Sequence, residues 1–530
     1  MCVGKSTSFL SAADAMPAAR PFIQPPAFPE RPAFQNHAER KPAAMTTSAL
    51  PTDLHEFSAR ALSRAIHRRE VSARELMQAT LTRIARVNPE INAVISLRDE
   101  DALLKEADQA DAELAQGRSR GVLHGFPHAV KDLAMTAGIP TTMGSPVFAR
   151  QIPAEDATHV ARLRSAGAIL IGKTNTPEFG LGSHTYNPLH GATLNPYDRT
   201  RSAGGSSGGA AAALAARLLP LADGSDMMGS LRNPAGFCNV LGLRPSYGRV
   251  PSGPAPELFM DSMATDGPMA RSVGDLALLL SLQAGHDPSA PQSLPGDGTE
   301  FAALVDQPAA ASLKGVRIGW LGDFGGHLAM EDGVLDLDRR ALEVFSGLGA
   351  EVEHASLGFD AERIWQAWTD LRSWRVAGKL GPILDAPATR DALKPEAVWE
   401  VERGRALSLA RIEEASQTRS AWYRAAMRLF ERHDFLAAPV AQVFPFDVTL
   451  AWPKEIAGRT MDTYHRWMEC VVPASLLGLP AISLPAGFGG GGLPAGLQLI
   501  GRPRDDIGLL KIASAYEAAT DWLGQAPDLG

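Results

Sequence analysis

Asp156-Ala157-Thr158-His159-Val160-Ala161-Arg162-Leu163-Arg164-Ser165-Ala166-Gly167-Ala168-Ile169-Leu170-Ile171-Gly172 reads as one helix followed by one strand. Asp156 is placed to cap the helix, Val160 and Leu163 turn inward, and Gly167 stops it. Ala168 to Ile171 is then an apolar run of strand length. Outward from this unit the alternation repeats. Ser72-Ala73-Arg74-Glu75 spells a capping box, with Leu76, Leu81, Ile84 and Val87 following at helical spacing. A short strand over Ala93 to Leu97 and a charged helix over Asp99 to Ala115 come next. Further on, Val316 to Leu321 and Glu351 to His354 read as strands around a helix over Leu335 to Leu348. Ala481-Ile482-Ser483-Leu484 and Leu497-Gln498-Leu499-Ile500 bracket a glycine turn at Gly489 to Gly492. Alternation of this kind predicts an α/β fold with helices on both faces of a sheet.

The composition narrows the function. With 530 residues, 45% hydrophobic and 21% charged, the chain has a globular balance, and 51 basic against 59 acidic side chains leave a net charge of −8. That field gives a nucleic acid nothing to bind, because phosphate affinity needs clustered Lys and Arg. Cys2, Cys238 and Cys470 are too few for a disulfide framework or a four-thiolate zinc site, which points to a reducing, cytoplasmic compartment. The longest apolar run, Ala210 to Leu219, falls well short of the roughly 20 residues that span a bilayer, so no membrane partner is expected.

Residues 1–50 stand apart. Seven prolines and eleven alanines with no sustained period predict a flexible tail, and Pro17, Pro21, Pro25 and Pro26 interrupt any secretory core. Met45 is an alternative start. Residues 51–530 read as the folded domain. Within it, the periodicity between Trp365 and Trp467 turns helical, and seven of the nine tryptophans fall there. Their rings either fill the core of a helical layer or line a cover, over about 355–470, above an apolar substrate pocket. Trp365 and Trp368 sit three apart and share a helix face.

The chemistry concentrates between Arg201 and Val250. Gly204-Gly205-Ser206-Ser207-Gly208-Gly209 runs straight into the helix-forming Ala210 to Leu218, which puts its backbone N–H groups and hydroxyls at a helix N-terminus. A phosphate-binding loop would need Lys and Ser or Thr directly after the glycines, where alanines stand. A nucleophile elbow matches G-x-S-x-G formally, yet the preceding Pro196 to Arg201 is polar, and the last histidine, His465, lies far from the end. The remaining option is a serine nucleophile served by a lysine base. Its parts are Ser230, in Gly224-Ser225-Asp226-Met227-Met228-Gly229-Ser230, and Lys131, which ends the apolar Ala129-Val130.

Across these segments the chain resembles the amidase signature family, from about residue 52 to 520. The dense matches are Gly125-Phe126-Pro127 through Lys131-Asp132 and Gly172-Lys173-Thr174-Asn175 through Gly248-Arg249-Val250. Asn195-Pro196, Ser230-Leu231-Arg232-Asn233-Pro234-Ala235, Leu243-Arg244-Pro245 and Gly496-Leu497-Gln498 continue the pattern. The resemblance implies one large mixed β-sheet covered by helices on both faces, spanning 51–530. It implies Lys131 as base, Ser206 as bridging serine after a cis peptide from Gly205, and Ser230 as nucleophile. Backbone N–H groups of Met227, Met228, Gly229 and Ser230 would hold the oxyanion, and Gly180 would present backbone to the substrate. Ser207, Asp226 and Arg232 would support the loop.

The chemistry asks for the same features. A lysine of reference pKa about 10.4 must fall by roughly 3 units to accept a proton at neutral pH, and burial supplies that fall. Asp132, beside the lysine, is expected to spend its carboxylate on backbone donors. Met227 and Met228 stand where the family carries Thr and Gly-type residues, and one or both are expected to pack under the loop. His124 and His128 are separated by Gly125 and Pro127, so no helix presents them together to a metal, and Cys238 reads as a buried filler.

The reading is a metal-free and cofactor-free hydrolase that cleaves a carboxamide or carbamate C–N bond in a small hydrophobic or aryl substrate, with a homodimer left open. Two alternatives stand beside it. One is the transamidating A subunit of a Glu-tRNA(Gln) amidotransferase, and the other is a binding protein that keeps the fold without catalysis.

Overall fold

The computed structural model describes residues 53–522 and 524–529, so the expected tail at 1–50 lies outside the described residues. Ser72 caps a helix over Ala73–Ile91 (α1), and Glu75 reaches back to the Ser72 N–H, closing the capping box. A helix over Glu100–Ala115 (α2) follows, capped by Asp99.

The helix–strand unit forms with one change. The helix spans Thr158–Ser165 (α3), and no side chain caps it. Asp156 instead accepts the Ala137 N–H at 2.7 Å and pairs with Arg164 at 2.8 Å, because the neighbouring loop competes for its carboxylate. Gly167 stops the helix at φ 100°, and a strand over Ile169–Thr174 follows.

That strand belongs to a small three-stranded sheet. Val94–Ile95 (β1) pairs antiparallel to Ile169–Thr174 (β3), and Pro127–Lys131 (β2) pairs parallel on its other side. The large mixed sheet has eight strands: Ala222–Asp226 (β4), Leu241–Arg244 (β5), Thr265–Ala270 (β6), Arg317–Trp320 (β7), Glu351–His354 (β8), Phe435–Pro439 (β9), Ala481–Phe488 (β10) and Pro494–Ile500 (β11). Their order is β8-β7-β9-β11-β10-β5-β6-β4. Pairing is parallel from β8 to β9 and antiparallel from there on.

Side chains alternate across a strand, and here they divide two cores. Ile482, Leu484, Leu497 and Leu499 pack on one face with the helices Val334–Gly347 and Asp506–Ala518. Ala481, Ile500, Leu436 and Ala438 turn to the other face, where they meet Trp365, Trp368, Trp422 and Trp467. The helices of that layer, Ala361–Asp385 (α4), Pro395–Ala406 and Leu409–Phe430, form the expected helical segment. Among the described residues no helix is long and apolar enough to cross a membrane.

Candidate active site

Three elements converge on Lys131. It ends β2, its side chain is 1% exposed, and its Nζ lies 2.8 Å from Ser206 Oγ, 2.8 Å from Ser207 Oγ and 3.0 Å from Ser225 Oγ. Burial drives the amine down from 10.5 to about 7, against the pull of Asp266, Asp223 and Asp226. A second buried lysine, Lys173, has no such neighbours. Its Nζ donates to Ala134 O and Thr136 Oγ1, which fixes a loop and leaves it away from the serines.

The serines sit where the glycine run allows. The Gly205–Ser206 peptide is cis. Gly204, Gly205 and the two serines lead into the helix Gly208–Ala215, every residue of which is buried. A Cβ on Gly209 would lie 2.3 Å from the Asn175 backbone N, so only glycine lets the helix start lie against β3. The Ser207 N–H donates to Ser230 O at 3.2 Å, tying the turn to the loop that carries Ser230.

That loop, Met227 to Ser230, is braced from below. Asp226 is fully buried and accepts from Arg232 Nε and Nη2, both at 3.1 Å, from Arg244 Nη1 at 2.9 Å and from the Leu231 N–H at 3.2 Å. Burial opposes its charge, but Arg232 and Arg244 prevail and bring its carboxyl down to about 2. Arg232 reaches on to Met228 O, Gln498 and Ser475. The backbone N–H groups of Met227, Met228, Gly229 and Ser230 meet no acceptor among the described residues. Met227, Met228 and Ser230 of this loop border the cavity described next.

A cavity of about 200 Å³ opens on these groups. Ser206, Ser225, Ser230, Met227, Met228 and Gly180 line it, with Leu133, Phe179, Leu181, Val376, Leu380 and Met468 as apolar wall. Arg372, Arg375 and Lys379 also line it, from one stripe of α4. Each cation already has a carboxylate: Glu400 at 2.6 Å, Glu257 at 2.8 Å, and Asp261.

The expected site residues therefore meet in one place. Lys131, Ser206, Ser207 and Ser230 come together, Gly180 borders the same cavity, and Asp226 with Arg232 supports the loop. Asp132 accepts from the Thr142 and Gly144 backbone, away from the Lys131 amine. Both methionines border the cavity and pack on the tryptophan core: Met228 is buried in it, and Met227 is half-buried and receives Arg372 Nη1 on its sulfur. No tryptophan is among the lining residues, so of the two readings of these rings the core-filling one holds for Trp365, Trp368, Trp422 and Trp467. Trp365 and Trp368 stack at 5.6 Å, with His465 edge-on to both. Sequence reasoning missed Ser225 as a neighbour of Lys131. Its alternation with Asp226 along β4 was the only available signal.

A family model described as Amidase matches residues 75–510, and the chain belongs to the amidase family. The A subunit of the glutamyl-tRNA(Gln) amidotransferase of Chloroflexus aurantiacus is 37% identical over 502 residues, covering 90% of this chain and 99% of that protein. An acylamidase of Rhodococcus erythropolis is 34% identical over 487 residues, covering 90% and 98%. The crystal structure of a bacterial aryl acylamidase of the amidase signature family superposes with a TM-score of 0.83 at 29% identity, covering 90% and 98%.

Proposed function

We propose that this chain hydrolyses a carboxamide or carbamate C–N bond through an acyl-enzyme on Ser230, with Ser206 as relay and Lys131 as base. The observation that carries this is a buried lysine amine, with a pKa near 7, within hydrogen-bond reach of a serine that shares a cavity with a second serine. A neutral amine has two N–H bonds and one lone pair. Ser207 and Ser225 offer acceptors for the two donors, which leaves the lone pair for the Ser206 hydroxyl hydrogen.

In the first step Ser230 Oγ attacks the substrate carbonyl. Its proton passes to Ser206, and the Ser206 proton passes to Lys131. The resulting oxyanion is met by the free N–H groups of residues 227–230, donors worth roughly 3 kcal/mol each when well aimed. The lysinium then returns a proton through Ser206 to the departing nitrogen, which leaves as an amine. Water repeats the sequence on the acyl-enzyme. No step calls on a metal or cofactor. The apolar wall favours a hydrophobic or aryl substrate, and the acylamidase and aryl acylamidase relatives support that preference.

A serine-directed fluorophosphonate tests the reading. It is expected to add one label to the intact protein and none to Ser230→Ala, while an anilide panel turns over faster than short aliphatic amides. Equal labelling of both proteins refutes the nucleophile, and exclusive turnover of aliphatic amides refutes the substrate class. The 37% identity to an amidotransferase component favours a second reading, in which this chain is the transamidating A subunit of such a complex. Copurified partner subunits with tRNA-dependent activity would select it.

A further inference from the structure

Behind Lys131 lies a chain of buried titratable groups that the proposed steps do not use. His128 Nε2, on β2, lies 2.9 Å from Asp223 Oδ1, on β4. The other oxygen of Asp223 accepts the Lys131 backbone N–H at 3.3 Å and faces His159 Nε2, on α3, at 3.5 Å. His159 Nδ1 in turn lies 3.6 Å from Asp266 Oδ2, on β6, opposite Ser225 in the antiparallel register. His128, His159 and Asp223 are 2%, 2% and 1% exposed.

We propose that His159 and Asp266 are positioning residues that set the proton affinity of Lys131: the His159 imidazolium offsets the Asp223 and Asp266 carboxylates, which would otherwise hold the proton on the amine. The inference rests on the reading of Lys131 as base. The other charged groups around this centre are already spent. Asp226 is held by Arg232 and Arg244, Asp132 by Thr142 and Gly144, and Lys173 by Ala134 O and Thr136. Lys379, which also acts on Asp266 through space, is paired with Asp261. His128 Nε2 faces a single carboxylate, Asp223, at 2.9 Å. His159 alone bridges two carboxylates that both attract the lysine proton. Burial works against an imidazolium there, but Asp266 and Asp223 outweigh it and raise the pKa from its ordinary value. For Lys131, Asp266 is the largest of the groups opposing burial.

The sign of each substitution follows. Asp266→Asn removes a carboxylate and should move the acid limb of kcat/KM to lower pH. His159→Gln uncovers both carboxylates and should move it to higher pH, each by about one unit, as expected for one nearby charge. On the steep part of the limb that is about a tenfold gain or loss, with the high-pH plateau kept. The double variant should return toward the parent profile. The experiment is the pH profile of kcat/KM on an anilide for these three variants and for Lys131→Met, with fluorophosphonate labelling to count active sites. A limb that stays put in both single variants, or shifts the same way in both with a falling plateau, overturns the proposal. If the limb disappears in Lys131→Met yet does not move in the others, this inference alone fails. If it survives Lys131→Met, the base assignment falls and this inference with it. Should His159→Gln fail to fold, Asp266→Asn still decides, because it keeps the shape of a side chain that is 26% exposed.

Discussion

Replacing Lys131 with Met should make the protein more stable and almost inactive, in amounts that the burial of its amine sets. The amine is held at about 7 against 10.5 in an open chain, by burial first and despite three carboxylates. A difference of about 3.5 units corresponds to roughly 5 kcal/mol between the two protonation states. Between pH 7 and 10.5 the unfolded chain binds a proton on this residue that the folded chain does not. Stability therefore rises with pH across that window, and the cost is fully present below pH 7. Met has similar length and no charge to bury. It loses the three serine hydrogen bonds, which returns about 1–3 kcal/mol for the hydroxyls left unpartnered. Net, Lys131→Met should gain a few kcal/mol near pH 6, and the gap should close as pH approaches 10. Lys173 and Lys394, both lowered by burial to about 8, add a similar slope to both proteins and cancel in the difference. Urea unfolding from pH 6 to 10 measures the stability term. The same variant should lose about 10²–10⁴-fold in kcat/KM at neutral pH, less at high pH where hydroxide replaces the base. Unfolding free energies that run parallel with pH in both proteins would refute the buried-amine argument. A retained acid limb near pH 7 would refute the base.

Other perturbations test separate parts. Asp226→Asn leaves Arg232 and Arg244 buried without a carboxylate and should cost about 3–5 kcal/mol, seen as a large drop in Tm together with slower labelling of Ser230. Gly229→Ala would put a Cβ 2.5 Å from Asn233 Oδ1 and 2.8 Å from Val471 Cγ2, so the loop must shift; kcat should fall more than the affinity for a substrate-like inhibitor, measured by steady-state kinetics. Asp338 has a fully buried carboxyl with neither oxygen partnered among the described residues, and burial pushes its pKa well above the usual range. Its folded state keeps a proton that the unfolded chain releases, so stability falls as pH rises between those two pKa values. Asp338→Leu should remove that decline, raise Tm and add about 1–3 kcal/mol to the unfolding free energy measured in urea.

Local rules made much of the fold legible. The capping box at Ser72 and Glu75, the stop at Gly167 and the start of the strand that follows are short-range chemistry and appear at or next to their expected places, while the strand runs three residues further, to Thr174. Asp156 failed as a cap because Ala137 and Arg164, drawn in by the fold, won its carboxylate. Composition left two readings of the tryptophan-rich segment open, core and pocket wall, and the fold takes the first for Trp365, Trp368, Trp422 and Trp467, because a helix stripe can change surroundings along its length. On α4 the stripe begins with Trp365 and Trp368 in the core and ends with Arg372, Val376 and Lys379 at the cavity.

The order of residues alone determined the alternating α/β pattern, the glycine–serine turn at a helix start, and the few hydroxyl and amine groups able to do acyl chemistry. These depend on neighbours a few positions away. Only the tertiary structure decided that Lys131 lies against Ser206, Ser207 and Ser225 while Lys173 does not, and that Asp223, His159 and Asp266 gather behind it. Proton affinity depends on distance and on the exclusion of water, and neither is defined until strands far apart in the chain close around the same amine.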